Sequence, residues 1–503
     1  MNDRPNWLTI TISGLIATLL LASDLRAIAS VPTTANRSEF SAPQLIAIAA
    51  RNKKKKRIAR KKARVRAQVK PATTSTAPTT SPTDVTQTPP PPSPVTPPPA
   101  PAEPSVTREE VEALRKSNQE LREQINKIDG RATETDKKIE QIDKQQFSTT
   151  TKLQGSVVFG ATGGISGDYS NNVAFGHRTR VELLSNIGGG TLTTRLQAVG
   201  MGLVNQNPKS GTTAAATPEG GLSWTDGTTN STVSIDALKY QFSLSPQTLV
   251  TVIANAGAAD DFTDTINPYF DGDGNSGAIS AFANRPSIYY TIQGAGVGLR
   301  HKLNDSMEVS LGYLARQANN PAVGLGLFNG GYGALAQVAV KTGENSKLAL
   351  TYTKSYNSDF GTGSTNANPL AFGGTNSTSD NFGVQGSFQL SPQFALGGWA
   401  GYTQNQAVGG DRQIWNWAVT AAAPDFGGKG NLAGFLVGQE PRVTSSGNGT
   451  TDTKAGLHLE GFYQIKVNEN VSITPGIIYL SAPNQDANST GAVIGAVRTT
   501  FTF

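Results

Sequence analysis

The sequence predicts an all-β transmembrane barrel of about 16 antiparallel strands, preceded by a coiled-coil helix and a disordered basic and Pro-rich segment. Three observations predict this fold class. Apolar and polar residues alternate in segments of strand length from Gln146 to the terminal Phe503. Short turns alternate with longer connections between these segments. The last segment has an alternating apolar face that ends in Phe503.

The composition excludes several other classes of protein. Only 37% of the 503 residues are hydrophobic, which is low for packed globular cores in a chain of this length. The only run that approaches the length of a membrane-spanning helix lies at the N-terminus. The chain has no cysteine, so a disulfide scaffold, a thiol catalyst and a cysteine-ligated metal site are excluded.

Residues 1–29 have the pattern of a secretory signal peptide, which predicts export. An apolar stretch from Leu8 to Ala22 is followed by Ala27-Ile28-Ala29, a small-residue cleavage motif. Ala47-Ile48-Ala49 offers a second cleavage site. The alternative is an uncleaved anchor helix, but about 15 apolar residues are short for a membrane span.

Residues 30–106 carry the positive charge of the chain, whose net charge is +6. Between Arg51 and Lys70 there are twelve basic residues and no acidic residue, and a Pro-rich stretch follows. Neither part can bury enough surface to fold alone, so both are predicted to be disordered. In an exported chain, we expect the basic cluster to contact peptidoglycan, its anionic polymers or lipid headgroups and not nucleic acid. A solvated tail without a specific partner is the alternative. The predicted wall-binding residues are Lys53, Lys54, Lys55, Lys56, Arg57, Arg60, Lys61 and Lys62.

Residues 107–145 have the heptad pattern of a coiled coil. Thr107 and Glu110 have the spacing of a capping box, which predicts a helix start. Isoleucine at both core positions of two heptads favours three or more strands, and Asn118 can fix the register. A single amphipathic helix packed on a globular partner is the alternative. The core pairs are Val111/Leu114, Asn118/Leu121, Ile125/Ile128, Ala132/Thr135 and Ile139/Ile142.

Residues 146–503 are predicted to form the outer-membrane barrel. Strict alternation of short periplasmic turns with long outer loops places the start of the first strand and the end of the last strand on the periplasmic side. The segments that precede the barrel lie on the same side. The predicted strands show two faces, and only the fourth strand breaks parity, since Ile235 and Leu238 fall on different faces unless a bulge intervenes. The long connections are 162–173, 202–231, 256–292, 316–332, 355–380, 404–411, 440–453 and 481–490.

Charges at the pore constriction are expected to determine which solutes pass. The longest loop, 256–292, is the third outer loop and is rich in aspartate, so it can attract cations if it folds into the lumen. Basic residues placed inward by alternation either face these acids across the pore or pair with Glu182, Asp236, Glu308 and Glu460 in the wall. The predicted constriction acids are Asp260, Asp261, Asp264, Asp271 and Asp273. The predicted lumen-facing bases are Arg178, Arg180, Arg195, Arg300, Lys302 and Arg498.

No catalytic residue, cofactor or firm metal site is predicted. The segment Asp271–Asn275 has oxygen ligands at alternating positions, but no bidentate glutamate follows at the required spacing, so a plain acidic turn is the stronger interpretation. The histidines His177, His301 and His458 lie on predicted strands without a nucleophile and base arranged around them.

The junction QFSTTTKLQG, residues 146–155, follows the coiled coil and opens the first strand. It resembles cyanobacterial iron-uptake porins of the carbohydrate-selective, OprB-like porin family. The resemblance implies a homotrimeric channel in outer-membrane lipid that passes small inorganic ions, with iron as the named solute.

Phe501 and Phe503 resemble the C-terminal signal read by the outer-membrane assembly machinery. Members usually carry an S-layer homology domain before the coiled coil, which is missing here, and the basic cluster is expected to replace it as a tether. The expected function is passive diffusion of small solutes. A mainly structural tether and a carbohydrate-selective channel are the alternatives.

Overall fold

The structure is a computed structural model that describes residues 107–145, 150–211, 215–368, 370, 376–407 and 410–503. The predicted signal peptide, basic cluster and Pro-rich segment lie outside the described residues, and so do residues 146–149 of the junction.

The first described element is the helix Arg108–Gln145. The backbone N–H of Thr107 donates to Glu110 Oε2 at 3.2 Å, and the N–H of Glu110 donates to Thr107 Oγ1 at 3.4 Å, which is the capping-box geometry. The apolar residues at the heptad core positions are exposed along this helix, from Val111 to Ile128. Among the described residues, no helix is both long enough and apolar enough to cross a membrane.

The remainder of the chain forms a closed antiparallel barrel, which confirms the predicted fold class. Sixteen strands pair in sequence order around the barrel, and β6 and β7 pair only with each other. In chain order the strands are β1 (Thr151–Gly167), β2 (Ala174–Ile187), β3 (Gly190–Gly200), β4 (Ser234–Ser245), β5 (Thr248–Ala258), β6 (Asp271–Gly272), β7 (Ser276–Gly277), β8 (Gln293–Lys302), β9 (Met307–Ala315), β10 (Tyr332–Gly343), β11 (Ser346–Tyr356), β12 (Ser377–Ser391), β13 (Phe394–Ala407), β14 (Arg412–Pro424), β15 (Leu432–Ser446), β16 (His458–Lys466), β17 (Val471–Leu480) and β18 (Ala492–Thr502).

The barrel closes where β18 pairs with β1. The backbone N–H of Gly155 donates to Phe503 O at 2.9 Å, and the N–H of Phe503 donates to Gly155 O at 3.0 Å. A Cβ on Gly155 would lie 2.7 Å from Cζ of the Phe503 ring, so only glycine admits the ring at this position. Phe501, two residues earlier on the same face, packs edge-on against Phe159 with ring centres 5.5 Å apart.

The alternation of side chains along the strands separates an exposed outer face from a buried inner face. On β14, Trp415 and Trp417 are exposed, whereas the intervening Asn416 is 1% exposed. The parity break in the fourth strand is explained by one register shift between β3 and β4. Arg195 pairs with Ala237 and Leu196 pairs with Ile235, so Asp236 is an extra residue on β4. This residue supplies the bulge that the sequence required.

Long and short connections alternate around the barrel with one exception. The connection 408–411 is shorter than the turn 425–431 at the opposite end, because β13 extends to Ala407, beyond the predicted strand end. The predicted strict alternation is therefore wrong at this position. We number the outer loops in chain order and call the third, residues 259–292, the inner loop. The outer loops are residues 168–173, 201–233, 259–292, 316–331, 357–376, 408–411, 447–457 and 481–491.

Candidate functional site

The inner loop packs inside the barrel, and aromatic side chains hold it against the wall. The Phe262 ring lies on two glycines, Gly298 of β8 and Gly312 of β9, where an added Cβ would come within 2.1 and 2.2 Å of the ring. Further along the loop, Phe282 meets Trp399 of β13 edge-on at 5.5 Å, and Phe270 meets Phe462 of β16 at 5.2 Å. These contacts bury the apolar side of the loop and direct its polar side into the remaining lumen.

The tip of the inner loop is held by arginines of β2 and β18, the two strands that pair with β1. Arg178 of β2 donates to Asp273 O and Asn275 Oδ1, both at 2.9 Å. Arg498 of β18 donates to Gly277 O at 2.8 Å and to Ala278 O at 2.9 Å. The exposed fractions of Arg178 and Arg498 are 3% and 0%. These two predicted lumen-facing bases therefore point inward but hold the loop, and their charge is withdrawn from the pore.

Two more predicted bases share a network with the loop and with the wall. Arg180 pairs with Asp273 of the loop. Arg195 lies 2.5 Å from Asp236, 3.7 Å from Glu182 and 3.5 Å from Asp273. These bases therefore contact an acid of the inner loop and also pair with acids of the wall, so both predicted arrangements of the inward-facing bases occur here. Burial raises the pKa of Asp273, but the charges of Arg180, Arg178 and Arg195 outweigh it and hold that pKa below its usual value.

Within the loop, Arg285 pairs with two of the predicted constriction acids. Its guanidinium lies 2.6 Å from Asp260 and 2.8 Å from Asp271. Burial raises the pKa of Asp271, although the positive charge of Arg285 opposes the shift. Burial lowers the pKa of Arg285, but the charges of Asp260 and Asp271 outweigh it and raise that pKa well above its ordinary value. The loop therefore carries its own internal counter-charge.

The remaining predicted acids and bases lie outside these two networks. Asp261 pairs with Lys239 of β4, and Asp264 pairs with Lys347 of β11. Arg300 lies 3.4 Å from Glu308 in a pair confined to the wall. Lys302 is exposed at the short-turn end of β8. Each of the five predicted acids thus has a basic partner.

Four of these acids line one cavity of the lumen. The cavity has a volume of about 350 Å³ and is lined by Asp260, Asp264, Asp271 and Asp273 on the inner-loop side, with Arg300 on the wall. The side chains of Asp260, Asp264 and Asp273 keep 33%, 31% and 45% of their surface exposed, so their charges reach the solution in the pore. Acids and a base therefore face the same solvent-filled space, which orients ions and dipolar solutes.

The oxygen ligands of the segment Asp271–Asn275 are bound to arginines. Asp271 accepts from Arg285, Asp273 accepts from Arg180, and Asn275 accepts from Arg178. The segment comprises β6 and the turn that leads to β7, and its side chains diverge to different partners. Within the described ranges, no group of three or more acidic, histidine or cysteine side chains has the geometry of a metal site.

Several residues of this region are not found by sequence reasoning. Lys239 was hidden by the parity break of β4, and Lys347 by its position next to a turn. Glu440 falls in the predicted loop 440–453, whereas it lies on β15 and its Oε1 is 2.6 Å from His458 Nδ1. Lys347 could have been predicted, because it is an isolated charge at an inward-facing position of its strand. Lys239 and Glu440 could not, because their positions depend on the strand register, which only the structure supplies.

Comparisons with known proteins agree with the barrel and extend over the helix. The sequence model of the OprB family of carbohydrate-selective porins matches residues 112–503. A protein of a Nostoc strain is 33% identical over 390 residues, which cover 72% of this chain and 67% of that protein. A protein of a Synechocystis strain is 32% identical over 398 residues, which cover 72% and 70% of the two chains.

Among solved structures, that of OprB from Pseudomonas putida at high pH superposes with a TM-score of 0.50. The match covers 70% of this chain and 94% of that one at 11% sequence identity, so it supports the fold alone. The family match and the two relatives confirm the resemblance found at the start of the first strand. The chain therefore belongs to the OprB family of carbohydrate-selective porins, which are outer-membrane β-barrel channels.

Proposed function

We propose that the barrel is a passive diffusion channel for small hydrophilic solutes, chiefly inorganic cations. The observation that carries this proposal is the cavity lined by Asp260, Asp264, Asp271 and Asp273, where three carboxylates remain partly exposed. Exposed carboxylates concentrate cations locally, because the surrounding wall has a low dielectric constant and focuses the field. Iron, the solute implied by the resemblance to iron-uptake porins, is compatible with such a lumen as a hydrated cation.

A carbohydrate-selective channel is the alternative that the family description favours. Sugar rings are commonly bound through their C–H faces on exposed aromatic rings. In the described part of the inner loop, the rings of Phe262, Phe270, Phe282 and Tyr289 are at most 2% exposed and pack against the wall. These four rings are unavailable to a sugar in the lumen, whereas the rings of Tyr269 and Tyr290 in the same loop are partly exposed.

The proposal is tested by the reversal potential of the purified full-length protein in a planar bilayer under a KCl gradient. We expect a cation-selective potential that moves toward zero in the double variant Asp260→Asn, Asp264→Asn. Asp305→Asn, an exposed change in a short turn, serves as the matched control and should leave the potential unchanged. An unchanged potential in the double variant would overturn the assignment of these acids to selectivity.

Solute class is tested separately in the same bilayers. Glucose added to the chamber should leave the single-channel ion conductance unchanged apart from its effect on viscosity. A saturable block by glucose would instead support the carbohydrate channel. Uptake of ferrous iron into proteoliposomes, compared with vesicles lacking the protein, tests iron directly.

We further propose that the helix Arg108–Gln145 forms a trimeric coiled coil in the periplasm. Its apolar core-position residues are exposed, with Ile125 at 60% and Ile128 at 66%, and a long exposed apolar stripe is stabilised by pairing with identical helices. Chemical cross-linking of the intact protein should yield trimers. Replacing both Ile125 and Ile128 by Asp should reduce the trimer yield, whereas Lys127→Asp on the same helix should not. Equal trimer yields in all three proteins would contradict the coiled coil.

A tethering role is the second proposed function, and it rests on the basic cluster of residues 51–70 together with this helix. The positive charges suit anionic cell-wall polymer, to which binding must weaken with salt. The full-length protein should sediment with purified peptidoglycan at low salt and be released at high salt. A variant with Lys53, Lys54, Lys55 and Lys56 replaced by Gln should bind less. Salt-insensitive binding, or none, would contradict the tether while leaving the channel proposal intact.

A further inference from the structure

A buried triad of two glutamates and one histidine lies on β15 and β16, beneath the outer loops. His458 Nδ1 lies 2.6 Å from Glu440 Oε1, and His458 Nε2 lies 3.5 Å from Glu460 Oε2. The exposed fractions are 1% for His458, 1% for Glu440 and 0% for Glu460. His458 Nε2 also lies 3.5 Å from Oγ of Ser280, so the ring contacts both carboxylates and the inner loop itself.

The two glutamates hold different loops. Glu440 accepts hydrogen bonds from the backbone N–H of Gly220 at 3.0 Å and of Gly363 at 2.9 Å, and from the hydroxyl of Thr362. It therefore holds the second and fifth outer loops. Glu460 accepts from the backbone N–H groups of the inner loop, namely Ile279 at 2.7 Å and Ser280 at 3.1 Å. His458 is the shared partner of the two carboxylates, so it links outer loops to the loop that narrows the pore.

The other charged and titratable groups facing the triad come from four neighbouring elements. Glu219 of the second loop interacts electrostatically with Glu440 and with Asp452 of the seventh loop. Tyr169 of the first loop interacts with Glu219 and Glu440, and Arg498 of β18 interacts with Glu460. Burial, and then the charge of Glu440, raise the pKa of Glu219 well above its usual value. The surroundings of the triad are therefore predominantly acidic.

We propose that His458 is a positioning residue that couples the outer loops to the pore constriction. Its ring bonds Glu440 through Nδ1 and lies against Glu460 and Ser280 through Nε2, so loss of the ring removes the group that joins these contacts and lets residues 279–280 move into the lumen. This inference rests on the proposed diffusion channel, since the constriction it controls is that of the same pore. The expected behaviour is a stable open channel in the unmodified protein and frequent closures once the ring is removed.

Single-channel recording tests the coupling. His458→Gln removes the ring, and we expect its closed fraction at neutral pH to rise by about tenfold, equivalent to about 1.4 kcal/mol. Glu460→Gln should show the same neutral-pH closures. His301→Gln is the matched control, because His301 bonds only to Thr248 at 2.8 Å on the neighbouring strand among its described contacts. A His458→Gln channel that closes no more often than the unmodified one would overturn the proposal.

A second measurement does not depend on conductance. Ala283 of the inner loop is fully buried against the wall, and the chain has no cysteine, so Ala283→Cys introduces a single protected thiol. A small thiol reagent should modify this cysteine about tenfold faster in the His458→Gln background, and no faster in the His301→Gln background. Equal rates in all three proteins would overturn the coupling even if the channel conducts. A protein that shows the rate difference but conducts no ions would instead contradict the proposed channel.

Discussion

Arg285 Nη2 lies 2.8 Å from Asp271 Oδ1 inside the inner loop, and both side chains are less than one-tenth exposed. The same guanidinium lies 2.6 Å from Asp260, so one arginine balances two acids of the constriction. The loop contains five aspartates and only this one basic residue. Its path through the lumen therefore depends on Arg285 from within and on arginines of the wall from outside.

Replacing Arg285 by Gln should destabilise the inner loop and increase cation selectivity. The change leaves two carboxylates without their cation, and breaking a buried pair from one side costs about 3–5 kcal/mol. Cation selectivity rises because the lumen loses a positive charge, which the reversal potential measures. Loosening of the loop should appear as faster proteolysis at neutral pH. Lys466→Gln, which breaks the exposed pair with Glu469, is the control and should change neither quantity.

Cation selectivity should depend on pH through Asp271. Burial raises its pKa despite Arg285, so Asp271 takes up its proton at a higher pH than an exposed aspartate does. As the pH falls, the reversal potential should therefore move toward zero in an early step, while Asp273 stays charged because its pKa is lowered. Asp271→Asn should remove the early step only. A pH profile identical in both proteins would show that Asp271 does not contribute to selectivity.

The raised pKa of Asp271 also determines how the stability of the folded protein changes with pH. The folded-state pKa of Asp271 lies above the unfolded value, so its contribution is complete below the unfolded pKa and is lost as the pH rises through the folded pKa. Thermal unfolding of the unmodified protein should thus show a small loss of stability across that interval. The loss should be smaller in Asp271→Asn.

Gly298→Ala should displace the inner loop from the wall. The added Cβ would lie 2.1 Å from the Phe262 ring, so the ring and the start of the loop must move into the lumen. We expect a lower single-channel conductance and a cost of about 1–3 kcal/mol for overpacking. Gly461→Ala is the matched control, because a Cβ at that position on β16 meets open space. A normal conductance in Gly298→Ala would mean that the Phe262 contact does not set the pore width.

Phe503→Ala should reduce the fraction of chains that reach the closed barrel. The backbone bonds to Gly155 remain possible, but the ring that covers this glycine at the seam is lost, together with the predicted assembly signal. The folded fraction can be measured by the change in gel mobility on heating. Phe426→Ala, another exposed aromatic residue in a short turn, should leave it unchanged. Equal folded fractions would argue against a role for the terminal ring.

The barrel could be predicted from the sequence because alternation and turn residues are local properties of the chain. The pattern around Phe501 and Phe503 and the parity break of the fourth strand both correspond to features of the structure. The predicted strand ends were less accurate. The predicted end of β13 lies too early in the chain, because outward polar residues such as Gln404 and Gln406 look like loop residues when the pairing is unknown.

The site could be predicted only in part. Alternation identified inward charges such as Arg178 and Arg498, and loop position identified the acids. It could not show that these two arginines bind backbone oxygens of the inner loop, because that contact depends on the path of the loop. Lys239, the partner of Asp261, is hidden by the parity break of β4, and Lys347, the partner of Asp264, is hidden by its position next to a turn.

The arginine contacts at the loop tip also constrain the order of folding. Arg178 and Asp273 are separated by 95 positions, and Arg498 and Gly277 by 221 positions, so these bonds join the two ends of the barrel sequence to its middle. Contacts of such long sequence separation form late, after loop closure has been achieved by neighbouring strands. The tip can settle only after the last strand has reached the first. The newly closed cylinder is thus expected to be wide, and its narrowing to be the final step of maturation.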